Sequence, residues 1–108
     1  MAMNKVIKEF NINNYTYKLG YDLGNNKVYP GIEIYKDGEL LFGGHWCDGT
    51  YAGLFYFYAN DSSYSSGFVN TIKEMFAKLR QYSEIPEYIE NGFENIYLLY
   101  KLNDFNEL

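Results

Sequence analysis

Apolar and polar positions alternate through the first half of the chain, and a helical spacing replaces the alternation after about residue 66. Residues 5–12 (KVIKEFNI) set Val6, Lys8, Phe10 and Ile12 against Lys5, Ile7 and Glu9. Residues 14–22 (NYTYKLGYD) place Tyr15, Tyr17, Leu19 and Tyr21 on one side and Thr16, Lys18 and Gly20 on the other. Period-two patterning marks half-buried strands. Asn13–Asn14 and residues 23–26 (LGNN) supply turn chemistry between the runs. Residues 27–35 (KVYPGIEIY) read as a third strand, with Pro30 near its start, where a missing ladder N–H is tolerated.

Asp37–Gly38 and Asp48–Gly49 each suit a two-residue hairpin turn, because such turns need positive φ. The first predicts Lys36 beside Glu39, Tyr35 opposite Leu40 and Ile34 opposite Leu41. The second predicts Trp46 opposite Tyr51, His45 opposite Ala52, Gly44 opposite Gly53, Phe42 opposite Phe55 and Leu40 opposite Phe57. One resulting face carries Ile32, Ile34, Leu41, Gly43, His45, Cys47, Ala52, Leu54 and Tyr56. The other is aromatic, with Tyr35, Phe42, Trp46, Tyr51, Phe55 and Phe57 beside Leu40.

After a polar break at residues 60–67, Phe68, Ile72, Met75, Phe76, Leu79 and Tyr82 follow the stripe of an amphipathic helix, with Ser66 as its cap. A short second helix is expected from Ser83 and Pro86 to Asn91–Gly92, where Asn-Gly is a stop signal. Residues 94–105 suit either a strand or a helix, and helix is the expectation. The predicted fold class is α+β: an antiparallel meander of about five strands, then an amphipathic helix and a short C-terminal helical region.

At 108 residues the chain is expected to be one domain, residues 1–108. With 47% hydrophobic residues it has the means to build a core. One Cys cannot form an internal disulfide, no apolar run is long enough for a membrane helix, and the start lacks a signal-peptide core. The expected location is therefore the cytoplasm, and a composition rich in Tyr, Asn, Lys and Ile suits a low-GC bacterium or its phage.

The net charge of −5 is unevenly placed. Residues 1–83 hold eight acids and eight bases; residues 84–108 hold Glu84, Glu87, Glu90, Glu94, Asp104 and Glu107 against Lys101 alone. Direct phosphate binding needs clustered Lys and Arg, so this distribution disfavours nucleic acid as a ligand and favours a basic protein partner.

Four groups of residues could carry chemistry. His45 and Cys47 lie two apart on a strand, about 6.5–7 Å between Cα atoms, but a thiolate catalyst also needs an orienting third group, and none is indicated. They read as packing residues. With Asp48 taken up by its turn they make a poor metal set, and no metal or other cofactor is expected. Gly43, Gly44, Gly49 and Gly53 match no phosphate-loop spacing and have no following Lys. Gly44 reads instead as a place where a helix approaches or the sheet bends. The aromatic face of Tyr35, Phe42, Trp46, Tyr51 and Phe55 is either core or an interface for a glycan, a peptide or a second copy of the chain. Glu87, Glu90 and Glu94 form one ridge on a helix, which Glu84 and Asp104 extend. Such a row can imitate nucleic-acid phosphates.

The expectation is thus a small acidic, non-enzymatic inhibitor of the immunity-protein or phage anti-defence (anti-CRISPR-like) kind. Its acidic C-terminal region would block a basic nucleic-acid site on a nuclease or related enzyme. The alternative is a binding module that uses the aromatic sheet face.

Overall fold

The computed structural model describes residues 3–24, 27–47, 53–61 and 64–102. Six strands come first: β1 (Lys5–Ile12), β2 (Tyr15–Gly24), β3 (Lys27–Lys36), β4 (Glu39–Trp46), β5 (Phe55–Ala59) and β6 (Gly67–Val69). Two helices follow, α1 (Ile72–Leu79) and α2 (Glu87–Lys101). Each strand pairs antiparallel with the next, giving one six-stranded meander. The α+β architecture is the expected one, with one strand more and a longer last helix.

Both helices pack on one face of the sheet. That face carries Tyr17, Leu19 and Tyr21 of β2, Ile32 and Ile34 of β3, Phe42 and Trp46 of β4, and Phe55 and Phe57 of β5, all buried. Met75, Phe76 and Leu79 of α1 and Ile89, Phe93 and Ile96 of α2 complete the core. Phe93 is central: its ring meets Phe76 edge-on at 5.7 Å and Phe55 at 6.4 Å. Two tyrosines of β2 also bond to helical-layer backbone. Tyr17 Oη donates to the Glu84 carbonyl at 3.0 Å, and Tyr21 Oη to the Ile96 carbonyl at 3.1 Å.

The first hairpin begins as expected. Asp37 and Gly38 have positive φ, Lys36 faces Glu39 and Tyr35 faces Leu40. A bulge then intervenes, and Ile34 pairs with Phe42 rather than Leu41. This moves Ile32 and Ile34 onto the Phe42 face and leaves Tyr35 on the opposite one. Asn60 stabilises the bulge: its N–H and side-chain amide donate to the Leu41 and Leu40 carbonyls, both at 2.8 Å. Backbone groups released from a ladder need such partners.

The second hairpin corrects the expected register. Trp46 pairs with Phe55, His45 with Tyr56, Gly44 with Phe57, Gly43 with Tyr58 and Phe42 with Ala59. The Asp48–Gly49 turn lies outside the described residues. At the base of this connection Cys47 N donates to the Leu54 carbonyl at 2.8 Å. The offset is even, so Phe55 and Phe57 stay on the predicted face. Two glycines of β4 make room for their neighbours in this arrangement. A side chain at Gly44 would collide with Met75 Sδ of α1 at 2.6 Å, and one at Gly43 with Tyr58 Oη at 2.8 Å. Helix approach at Gly44 was an expectation; its pairing with Gly53 is replaced by Phe57.

Phe68 does not join a helix. Residues 67–69 form β6 on the β5 edge, and α1 starts later than expected. Thr71, not Ser66, is its cap: Thr71 Oγ1 accepts from Glu74 N at 3.1 Å and donates to Glu74 Oε1 at 3.0 Å. Such a cap contributes about 1 kcal/mol. Nor does the chain stop at Asn91–Gly92. α2 runs through that pair to Lys101, with Pro86 rather than Ser83 as its N-cap. A Cβ on Gly92 would lie 3.0 Å from Leu19 Cδ1. Here glycine lets the helix settle on the sheet, and that packing outweighs its propensity cost of about 1 kcal/mol.

Candidate functional site

The acidic ridge is only partly a surface. Glu90 faces inward with 9% of its area exposed. Its Oε1 accepts from Arg80 Nη1 at 2.6 Å, while Arg80 Nε donates to the Ile85 carbonyl at 2.9 Å. The guanidinium also lies over the Phe76 ring, 5.6 Å from its centroid. Glu90 and Arg80 therefore brace α1 against α2, and that carboxylate is neutralised. Glu87 and Glu94 point outward and are exposed. Glu84 is exposed too, but it lies before α2 and lines a different cleft. Asp104 lies outside the described residues.

Glu87 and Glu94 border a groove of about 430 Å³ between the start of α1 and the middle of α2. Phe55, Ile72, Tyr97 and Leu98 supply its apolar lining, and Lys73 contributes the one basic group among its lining residues. Beyond Glu94 the outer side of α2 turns apolar. Leu98 is 49% exposed, Leu99 45% and Leu102 70%. Sequence reasoning missed these leucines as surface residues. The available signal was helical spacing: Leu98 and Leu102 fall opposite the stripe of Ile89, Phe93 and Ile96 that α2 buries.

The larger cleft, about 640 Å³, opens between the β1–β2 turn and the α1–α2 connection. Ile12, Tyr15, Tyr17 and Pro86 line it, with Asn13, Arg80, Ser83 and Glu84. Two of its polar groups already have internal partners, through the Tyr17 and Arg80 bonds given above. In the smaller groove the exposed Glu87 and Glu94 meet the exposed Leu98.

The predicted aromatic face divides three ways. Phe42, Trp46 and Phe55 are core, covered by the helices. Tyr51 lies outside the described residues. Tyr35 sits on the open side of the sheet, where its hydroxyl donates to Glu33 Oε1 at 3.0 Å and Lys18 Nζ lies 4.7 Å from its ring centroid. Glu33, 3% exposed, also accepts from Met3 N at 3.2 Å, which holds the start of the chain against the sheet. The open side has its own aromatic cluster, unforeseen as a unit. Tyr56 stacks with Tyr58 at 6.0 Å, meets Phe68 at 5.0 Å and meets His45 at 5.6 Å. The Phe-Tyr-Phe-Tyr alternation of residues 55–58 was the signal: phenylalanines inward, tyrosines outward.

Cys47 is buried, and burial pushes its thiol pKa up despite a backbone hydrogen bond from Tyr56 that lowers it. Its Sγ contacts the backbone oxygen of His45 at 4.0 Å. The His45 ring packs against Tyr56 and Tyr58. A thiol held protonated is a poor nucleophile. Among the described residues no group of three or more His, Cys, Asp or Glu could hold a metal ion. Among them, too, no helix is long and apolar enough to cross a membrane. Comparison of the chain with protein-family models, with curated proteins and with solved structures found no match.

Proposed function

We propose that this protein is a non-enzymatic inhibitor that binds a basic site on a nuclease or other nucleic-acid-binding enzyme, in the manner of immunity or phage anti-defence proteins. The observation that carries the proposal is the outward placement of Glu87 and Glu94 on a helix whose other side is locked into the core by Ile89, Phe93 and Ile96. Carboxylates on a braced helix lose little freedom on binding, and they attract a basic surface over distance. Glu90 is part of the brace and Glu84 a peripheral contributor.

Affinity capture from lysate of the source organism or its host, read by mass spectrometry, tests this. Wild type is compared with Glu87→Lys/Glu94→Lys, leaving Glu90 intact so that the fold is preserved. Wild type should retain a nucleic-acid enzyme, more strongly at low salt, and the variant should lose it. Equal retention by both would sink the proposal.

A second reading, a binding module acting through the open sheet face, is favoured by the His45, Tyr56, Tyr58 and Phe68 cluster, with Phe68 42% exposed. Tyrosine and histidine suit an interface because each joins an apolar ring to a polar tip.

A further inference from the structure

We propose that the partner presents a helix, basic at one end and apolar at the other, and that it docks along the outer stripe of α2 and the groove beside it. This rests on the protein-binding reading above and specifies the partner's chemistry. On a helix, Glu87, Asn91, Glu94, Leu98 and Leu102 fall on one side, because each is three or four residues from the next. All five are exposed. The stripe is acidic in its first half and apolar in its second.

Single exposed leucines are ordinary, but here two share the stripe and Leu99 adjoins them, next to a groove with Phe55, Ile72 and Tyr97 in its lining. Leu98, Leu99 and Leu102 lie outside the core, which α2 reaches through Ile89, Phe93 and Ile96.

Charge selects the occupant. The carboxylates repel nucleic-acid phosphates and anionic lipid headgroups, which removes the two common non-protein ligands of an apolar-and-charged helix face. They attract Lys and Arg. Shape favours a helix: the surface is a ridge beside a groove between α1 and α2, the form into which a second helix packs. Cations of the partner therefore lie against Glu87 and Glu94, and its large apolar side chains lie over Leu98 and Leu102.

The test titrates the full ¹⁵N-labelled chain with two synthetic peptides of identical Lys, Leu and Ala content. One has helical amphipathic spacing with lysines gathered at one end; the other is scrambled. Amide shifts should fall on Lys73 and Asn91–Leu102 with the first peptide only. Leu98→Asn/Leu102→Asn should weaken binding at least tenfold while keeping its salt dependence. Glu87→Lys/Glu94→Lys should weaken it and abolish that dependence. Far-UV circular dichroism confirms that both variants fold. Shifts elsewhere, no shifts, or equal binding of the scrambled peptide overturn the inference. Lysate capture separates the two levels. A nucleic-acid enzyme lost by the Glu variant but kept by the Leu variant leaves the inhibitor reading standing and ends this one. Peptide binding to the stripe, with no nucleic-acid enzyme captured, does the reverse.

Discussion

Tyr17 and Tyr21 show how single hydroxyl groups join the two layers. Each is almost fully buried, and each donates to a backbone carbonyl across the sheet–helix boundary. Burial raises both pKa values above the ordinary 10.0; for Tyr17 a Ser83 hydrogen bond works against the rise, while the neighbouring Tyr15, Tyr88 and Glu84 add to it. The neutral form is thus the one the fold favours. Below the unfolded value of about 10 this stabilisation is fully present, and it is lost as pH rises toward the raised folded values. Urea midpoints should therefore fall above pH 10. Tyr17→Phe/Tyr21→Phe should be less stable at pH 7, by about 1 kcal/mol per lost bond, yet decline less steeply above pH 10. A variant that falls as steeply as wild type would show that other groups govern alkaline unfolding.

Between elements, Arg80 does the most with one side chain. It bonds the Ile85 carbonyl and Glu90, and it covers Phe76. Arg80→Ala leaves a nearly buried carboxylate without its cation, and unfolding free energy should drop by about 2 kcal/mol. Adding Glu90→Gln to that variant should restore part of the loss, because the orphaned charge is gone. Full additivity of the two substitutions in urea denaturation would mean that the bridge contributes nothing. At this scale the sequence was legible wherever a local rule acted alone. The strands β1 to β4, the Asp37–Gly38 turn and the amphipathic α1 stripe from Ile72 to Leu79 all appear in the structure, but the predicted alternation fails in β1, where the register shifts between Val6 and Lys8 and both Val6 and Ile7 are exposed. What escaped depended on a neighbour in space. Asn60 bonds across the bulge opposite Ile34, Gly43 and Gly44 make room for Tyr58 and Met75, and Gly92 packs close to Leu19. The ridge was read as uniform because helical spacing places Glu87, Glu90 and Glu94 together, whereas tertiary packing turns Glu90 inward to Arg80.

For the whole molecule, the arrangement is one-sided: helices cover one face of the sheet, and the other carries a half-exposed aromatic cluster with Glu33 anchoring Met3. The two proposed surfaces, outer α2 and open sheet, therefore belong to different sides of the protein and can be separated by experiment. Analytical ultracentrifugation should give the 12.7 kDa monomer, with Tyr56→Ser/Phe68→Ser unchanged in mass. A dimer that this variant converts to monomer would move the function to the open face.

The sequence by itself determined the fold class, the antiparallel start followed by helices, and the concentration of negative charge in the last quarter of the chain. These follow from periodicity, turn chemistry and composition, which act over a few residues at a time. Only the tertiary structure decided which apolar face is core, which strands pair in which register, and which carboxylates of the ridge stay exposed. Those outcomes depend on side chains far apart in the chain competing for the same space, and a helix of acids and leucines becomes a surface only when something else has filled the core.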